Sequence, residues 1–159
     1  MPTSPPTGRA QSPPVPGERP RVVALAVLVR PLDGSLLVQP GRDEVSGEEF
    51  HRLIGGGVSF GESASQTVRR ELLEEYSLAV RVHERLLVAE NIFTYQGRQG
   101  HELAIAFRCT PDDPGLFAKP SIPATEPGLP PARWRSVDSA VALYPADVAA
   151  AWRSLLPAF

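Results

Sequence analysis

The chain has 159 residues, enough for one domain with a real hydrophobic core. Sixteen basic against 18 acidic side chains leave a formal charge of −2, which argues against electrostatic capture of a nucleic-acid polymer or a membrane surface. A single cysteine, Cys109, excludes a disulfide framework. No apolar run is long enough to span a bilayer, and the first twenty residues lack the apolar stretch of a signal peptide, so a cytoplasmic location is the expected default.

Residues 1–20 carry seven of the 18 prolines and almost no large apolar side chain. That composition predicts a disordered or polyproline-like tail, with the folded domain spanning 21–159. Val22 to Val29 reads as a buried strand. Asp33-Gly34 supplies a turn, and Leu36 to Gln39 is expected to return as the hairpin partner. Pro40 to Glu49 reads as polar loop, and Phe50 to Ile54 as a short strand feeding Gly55-Gly56-Gly57. Ser63-Ala64-Ser65-Gln66 has the form of a capping box, so a helix should begin just after Ser63. Val68, Leu72 and Tyr76 recur every four residues and give that helix an apolar stripe.

Val80 to Tyr95 reads as a long strand, bent near Glu84 or Glu90, and Gln96 to Gly100 turns the chain. The next strand alternates, with His101, Leu103, Ile105, Phe107 and Cys109 on one face; Cys109 reads as a small buried hydrophobe. Pro111 to Pro131 is a proline-rich loop long enough to carry function. Arg133 to Val137 is a last short strand. Pro145 should open the final helix, whose apolar face is Val148, Trp152, Leu155 and Leu156. Strands, helix, strands, helix, in a mixed rather than strictly alternating order, fit an α/β fold with a sheet between helices.

Chemistry concentrates between Gly56 and Leu78. Glu71, Glu74 and Glu75 stand at i, i+3 and i+4 and share one stripe of the helix. Three like charges there repel one another at neutral pH unless a cation lies between them. Mg²⁺ is the natural candidate, and Mn²⁺ suits the same oxygen ligands. An acidic pair on a helix is ordinarily a solvated face. Here six positions fall at fixed spacing: Gly56, Glu62, Arg70, Glu71, Glu74 and Glu75. At ordinary residue usage, a chance match of all six in such a chain is on the order of 1 in 100,000. The stretch resembles the signature box of the Nudix hydrolases. It departs at one position, where Ser77 replaces the family's glycine; a left-handed serine there would cost about 1 kcal/mol. Glu90 to Tyr95 with Gly100-His101-Glu102, and Arg133-Trp134-Arg135, also look like Nudix sequences, less specifically.

The resemblance implies a Nudix-type α/β/α sandwich with a mixed β-sheet between helices. It also implies a metal-dependent pyrophosphohydrolase that cleaves a nucleoside diphosphate linked to another moiety, by attack of water on phosphorus. Glu71, Glu74 and Glu75 are then the metal-site acids, with the backbone carbonyl of Gly56 a further ligand. Arg70 and Glu62 are expected to pair structurally. Arg52 and Arg42 are candidate phosphate contacts. In this family the general base can be an acid outside the box: Glu126, in the proline-rich loop, is the first candidate and Glu102 the second. Tyr95 stands where some relatives that cleave dinucleoside polyphosphates carry a tyrosine, and with Phe93 and Trp134 it is a candidate for stacking on a base. The expected partner is a nucleotide-type small molecule; a homodimer is compatible with the sequence.

Three other readings compete. Gly57 to Gly61 fits G-x-S-x-G, but a serine hydrolase needs an acid and then a histidine after Ser59, and only Glu90 followed by His101 supplies that order. A five-residue pattern yields to a 23-residue box. A Nudix-fold module that binds a nucleotide without cleaving it, as a sensor or regulator, would have eroded box acids, and these are intact. An isomerase of allylic diphosphates would need further catalytic Cys and Glu positions, and Cys109 is the sole cysteine.

Overall fold

The structure, a computed structural model, describes residues 18–156. All of the predicted tail except Glu18 to Pro20 lies outside the described residues; those three are exposed and belong to no strand.

The first strand, β1 (Arg21–Leu28), is buried on both faces, and this organises the molecule. Ala24, Ala26 and Leu28 pack with Val68, Leu72 and Tyr76 of helix α1 (Ala64–Tyr76). Val27, pointing the other way, packs with Val148 and Trp152 of helix α2 (Val148–Ser154). The two helices therefore cover opposite faces of β1, which is the predicted layering. Each fully buried aliphatic of the α1 stripe contributes about 2 kcal/mol through area removed from water.

Nine strands divide between two sheets among the described residues. One has the order β4 (Ile54–Gly57), β1, β6 (Arg98–Pro111), β5 (Val80–Tyr95). It is mixed: β1 and β6 run parallel, while β1/β4 and β5/β6 are antiparallel. The other has the order β7 (Ser121–Ile122), β8 (Ala132–Arg135), β2 (Leu36–Arg42), β3 (Glu49–Arg52), β9 (Ala142–Tyr144), with only β3/β9 parallel.

Several local expectations need correction. The predicted hairpin between β1 and β2 is not a ladder; a single bridge, Val29 to Leu36, joins them, and β2 instead pairs β3 and β8. The reason is burial on both sides: Leu37 enters the α1 core while Leu36 and Val38 enter the α2 core, so β2 lies within a second sheet. The strand expected over 50–54 breaks at buried Leu53, where the chain leaves β3 for β4 and changes sheet. Pro40 to Arg42, read as loop, continue β2. The long strand does bend near Glu84, where register shifts fall between Val82 and Leu87; Glu90 is regular.

On β6 the alternation is real, yet Ala104 and Ala106, on the face opposite the predicted one, are fully buried, and Leu103 is exposed. Residues 111–131 are not featureless: they hold a 3₁₀ turn (Pro114–Ala118) and β7. Helix α2 starts at Val148 rather than Pro145, with a tight turn before it (Val148 N to Pro145 O, 3.1 Å). Cys109 is buried, and desolvation pushes its thiol up to about 12, as befits a small hydrophobe. Among the described residues no helix is long and apolar enough to cross a membrane.

Candidate active site

Helix α1 is started by its own sequence. The Ser63 Oγ accepts from the Gln66 backbone N–H (3.2 Å), and the Gln66 side chain accepts from the Ser63 N–H (2.9 Å). This fixes the helical phase that presents Arg70, Glu71, Glu74 and Glu75.

Arg70 clamps the preceding loop onto the helix. Its Nε and Nη2 donate to the two Glu62 oxygens (2.8 and 2.9 Å), and Nη2 also reaches the Gly57 carbonyl (3.3 Å). The Arg70 bonds, then the Thr67 hydroxyl (2.6 Å), hold the Glu62 carboxyl down at about 2. Nη1 faces the other way and donates to Glu71 (3.0 Å) and Glu74 (3.2 Å). One guanidinium thus spans the loop acid and two helix acids.

Glu71 lies directly on the backbone of Gly56. A Cβ built at Gly56 would collide with the Glu71 carboxylate, so only glycine permits this approach. One turn on, Glu75 is half-buried. Burial, then the charges of Glu71 and Glu126, push its carboxyl up from 4.5 to about 7; the Arg52 guanidinium pulls it part of the way back.

Glu126 reaches this spot because its loop docks on the end of α1. The Thr125 and Glu126 backbone N–H groups donate to the Glu75 carbonyl (2.8 and 3.3 Å), and the Thr125 hydroxyl donates to the Glu74 carbonyl (3.2 Å). These bonds satisfy helix-end acceptors that lack intrahelical partners. The helix stops at Ser77, which takes the left-handed conformation (φ 50°, ψ 36°). Its N–H reaches the Leu73 carbonyl (3.0 Å), and Leu78 N–H reaches Leu72 (3.1 Å), the pattern that glycine normally supports. Ser77 thus itself adopts the left-handed conformation that closes the helix.

Arg52 is exposed at the end of β3, but its Nε donates to the buried Gln39 Oε1 (2.6 Å). Gln39 Nε2 donates to the Tyr76 hydroxyl (2.8 Å), and that hydroxyl donates to the Pro130 carbonyl (2.9 Å). Sequence reasoning missed Gln39 and the Tyr76 hydroxyl: Tyr76 reads there only as part of an apolar stripe. The available signal was one polar residue closing the apolar run Leu36-Leu37-Val38.

Three expected residues stand elsewhere. Arg42 is exposed and faces Glu44 (3.8 Å) and Glu49 (3.5 Å). Glu102 pairs with Arg21 (3.7 Å), and its register partner Arg21 lies on the face of the sheet opposite Ala24 and Gly56. Tyr95 meets Phe50 edge-on (centroids 5.9 Å) near the tip of the β5/β6 hairpin. Gln96 N–H ties that tip to Asp43 (3.2 Å) in the turn between β2 and β3.

The donors around Gly56 are all oxygens, the chemistry that a hard divalent cation takes. Among the described residues no three such side chains form a ready-made cage; Glu71 and Glu74 turn toward Arg70 instead.

The NUDIX domain profile matches residues 19–159. Among solved structures the fold is similar to a MutT NUDIX hydrolase from Burkholderia pseudomallei, 24% identical, covering 87% of this chain and 99% of that one, with a TM-score of 0.60. It is similar to the E. coli ORF135 protein at 24% identity, covering 90% and 95%, TM-score 0.54. An ADP-ribose pyrophosphatase from Streptococcus suis is 15% identical, covering 89% and 96%, TM-score 0.55. With Glu71 against Gly56, Arg70 clamping Glu62, and a domain match over nearly the whole described chain, this protein belongs to the Nudix hydrolase family.

Proposed function

We propose that the protein is a metal-dependent pyrophosphohydrolase that cleaves a nucleoside diphosphate linked to another moiety, by attack of water on phosphorus. The observation that carries this reading is Glu71 packed against the Gly56 backbone, with half-buried Glu75 one turn on and the Glu126 loop docked on the end of α1. Acids crowded without a cation are mutually unfavourable, and function is the ordinary reason to retain such a site.

Glu71, Glu74, Glu75 and the Gly56 carbonyl would hold Mg²⁺ or Mn²⁺. A cation bound there would neutralise phosphate oxygens and acidify the attacking water. The remaining roles belong to the chain. Arg52 presents its guanidinium beside Glu75 and is the phosphate contact that the geometry favours. Glu126 is favoured over Glu102 as proton acceptor, since Glu126 acts on Glu75 while Glu102 lies across the sheet. Arg42, as a second phosphate contact, and Tyr95 stay as candidates on tips that Gln96 and Asp43 tie together, apart from Glu75. Arg70 and Glu62 are structural. A nucleotide-type small molecule as substrate is supported by the relative named as an ADP-ribose pyrophosphatase and by a 20% identical UDP-X diphosphatase.

The test is a product screen with Mg²⁺ or Mn²⁺ across nucleoside triphosphates, ADP-ribose, nucleotide sugars and dinucleoside polyphosphates, with wild type and Glu75→Gln side by side. Turnover that the substitution abolishes supports the mechanism and gives the substrate class. Turnover unchanged by Glu75→Gln refutes it, and a folded, metal-binding protein that turns over nothing moves the reading to a nucleotide sensor.

A further inference from the structure

We propose that Gln39 and Tyr76 are positioning residues: a buried hydrogen-bond bridge that aims Arg52 from one side of Glu75 and anchors the Glu126 loop on the other. The inference rests on the proposed hydrolase reading and deepens it.

The bridge has one possible sense. Arg52 can only donate, so the atom of Gln39 at 2.6 Å from its Nε is the amide oxygen. The Gln39 NH₂ is then left to donate to Tyr76 Oη at 2.8 Å. The Pro130 carbonyl can only accept, so the tyrosine hydroxyl donates to it at 2.9 Å. Chemistry fixes each direction, and the amide orientation follows without ambiguity.

Burial makes the bridge stiff. Gln39 is 2% exposed and Tyr76 3%, so neither finds water as an alternative partner. Arg52, by contrast, is exposed, and among the described residues its two terminal nitrogens have no hydrogen-bond partner. A long flexible side chain is thus held by its Nε while the fork is left open for an anion. At the far end, Pro130 closes the segment whose Thr125 and Glu126 N–H groups hold the Glu75 carbonyl. The two groups proposed to act beside Glu75 are therefore held from opposite ends of one buried bridge, Arg52 by Gln39 and the Glu126 loop by Tyr76.

The experiment is a double-mutant cycle. Gln39→Leu, Arg52→Ala and the pair are compared by binding of inorganic pyrophosphate in the presence of Mn²⁺, with binding of Mn²⁺ alone as control. Losing the anchor should weaken pyrophosphate binding about tenfold, the effect of one hydrogen bond to a charged group. Mn²⁺ affinity should stay unchanged. In the Arg52→Ala background, Gln39→Leu should add little, because it acts through Arg52. Gln39→Glu, which still accepts from Arg52 but cannot donate to Tyr76, should restore pyrophosphate binding. Tyr76→Phe should spare pyrophosphate binding and KM but lower kcat on the substrate from the screen, through the Glu126 loop. Effects of Gln39→Leu and Arg52→Ala that simply multiply would overturn the proposal, as would unaltered pyrophosphate affinity in folded Gln39→Leu. If Gln39→Leu does not fold, failure of Gln39→Glu to retain binding serves as the refutation. The binding arms hold even if no substrate is turned over, so failure of the hydrolase reading and failure of the bridge are separable.

Discussion

Replacing Glu75 by glutamine should stabilise the metal-free protein while abolishing its turnover. Burial and the charges of Glu71 and Glu126 raise the Glu75 carboxyl from 4.5 to about 7. For a wholly dry group, such a displacement corresponds to about 3 kcal/mol lost on ionisation. Glu75 is only half-buried, so solvent screening reduces this to about 1–2 kcal/mol. The sign follows from proton linkage. Between pH 4.5 and about 7 the folded state binds more protons at this site than the unfolded chain, so stability falls as pH rises through that window. A glutamine does not titrate. Glu75→Gln should therefore match wild type near pH 4.5 and melt roughly 2–8 °C higher above about pH 7, at about 2–4 °C per kcal/mol for a domain of this size. Thermal melts in chelator, followed by circular dichroism across that range, measure this directly. Saturating Mg²⁺, at about 100 times its Kd, should stabilise wild type by about 2.7 kcal/mol and the variant by much less. A variant that is less stable at every pH, or whose offset does not change with pH, would refute the argument that these acids repel one another in the empty fold.

Gly56→Ala should leave the fold intact, because the group in its way is the mobile end of Glu71, but should displace that carboxylate. Mn²⁺ affinity should fall about 10–100-fold by titration, as when a ligand's support is lost. Ser77→Gly should raise stability by about 0.5–1 kcal/mol in denaturant unfolding, since serine holds a left-handed conformation that glycine takes without steric strain. Glu62→Gln should lower the thermal midpoint at neutral pH. Its carboxyl is depressed to about 2 by Arg70, so the stabilisation is present above 4.5 and is lost as pH falls through about 2; the difference between variant and wild type should close over that range.

Local structure is legible in the sequence where one short stretch settles the matter. The capping box at Ser63, the four-residue stripe of Val68, Leu72 and Tyr76, and the bend near Glu84 are all written in neighbouring residues, and each appears in the structure. The failures share a cause. Leu36 to Gln39 looks like the return strand of a hairpin, yet its side chains are claimed by two cores at once, and it pairs β3 and β8. Periodicity reports that a segment is buried and cannot report which partner buries it.

The candidate site divides along the same line. By itself the sequence determined the box: six residues at fixed spacing, of which Glu71, Glu74 and Glu75 share a helix stripe because 3.6 residues make a turn. It could not determine what stands opposite that stripe. Glu126 lies 51 residues beyond Glu75 in the chain and Gln39 lies 37 before Tyr76. Only the packing of a proline-rich loop onto the end of α1, and of a second sheet beneath it, brings Glu126 and Arg52 to Glu75. The same packing leaves Glu102 across the sheet, because successive strand residues face opposite ways and a single register decides the side.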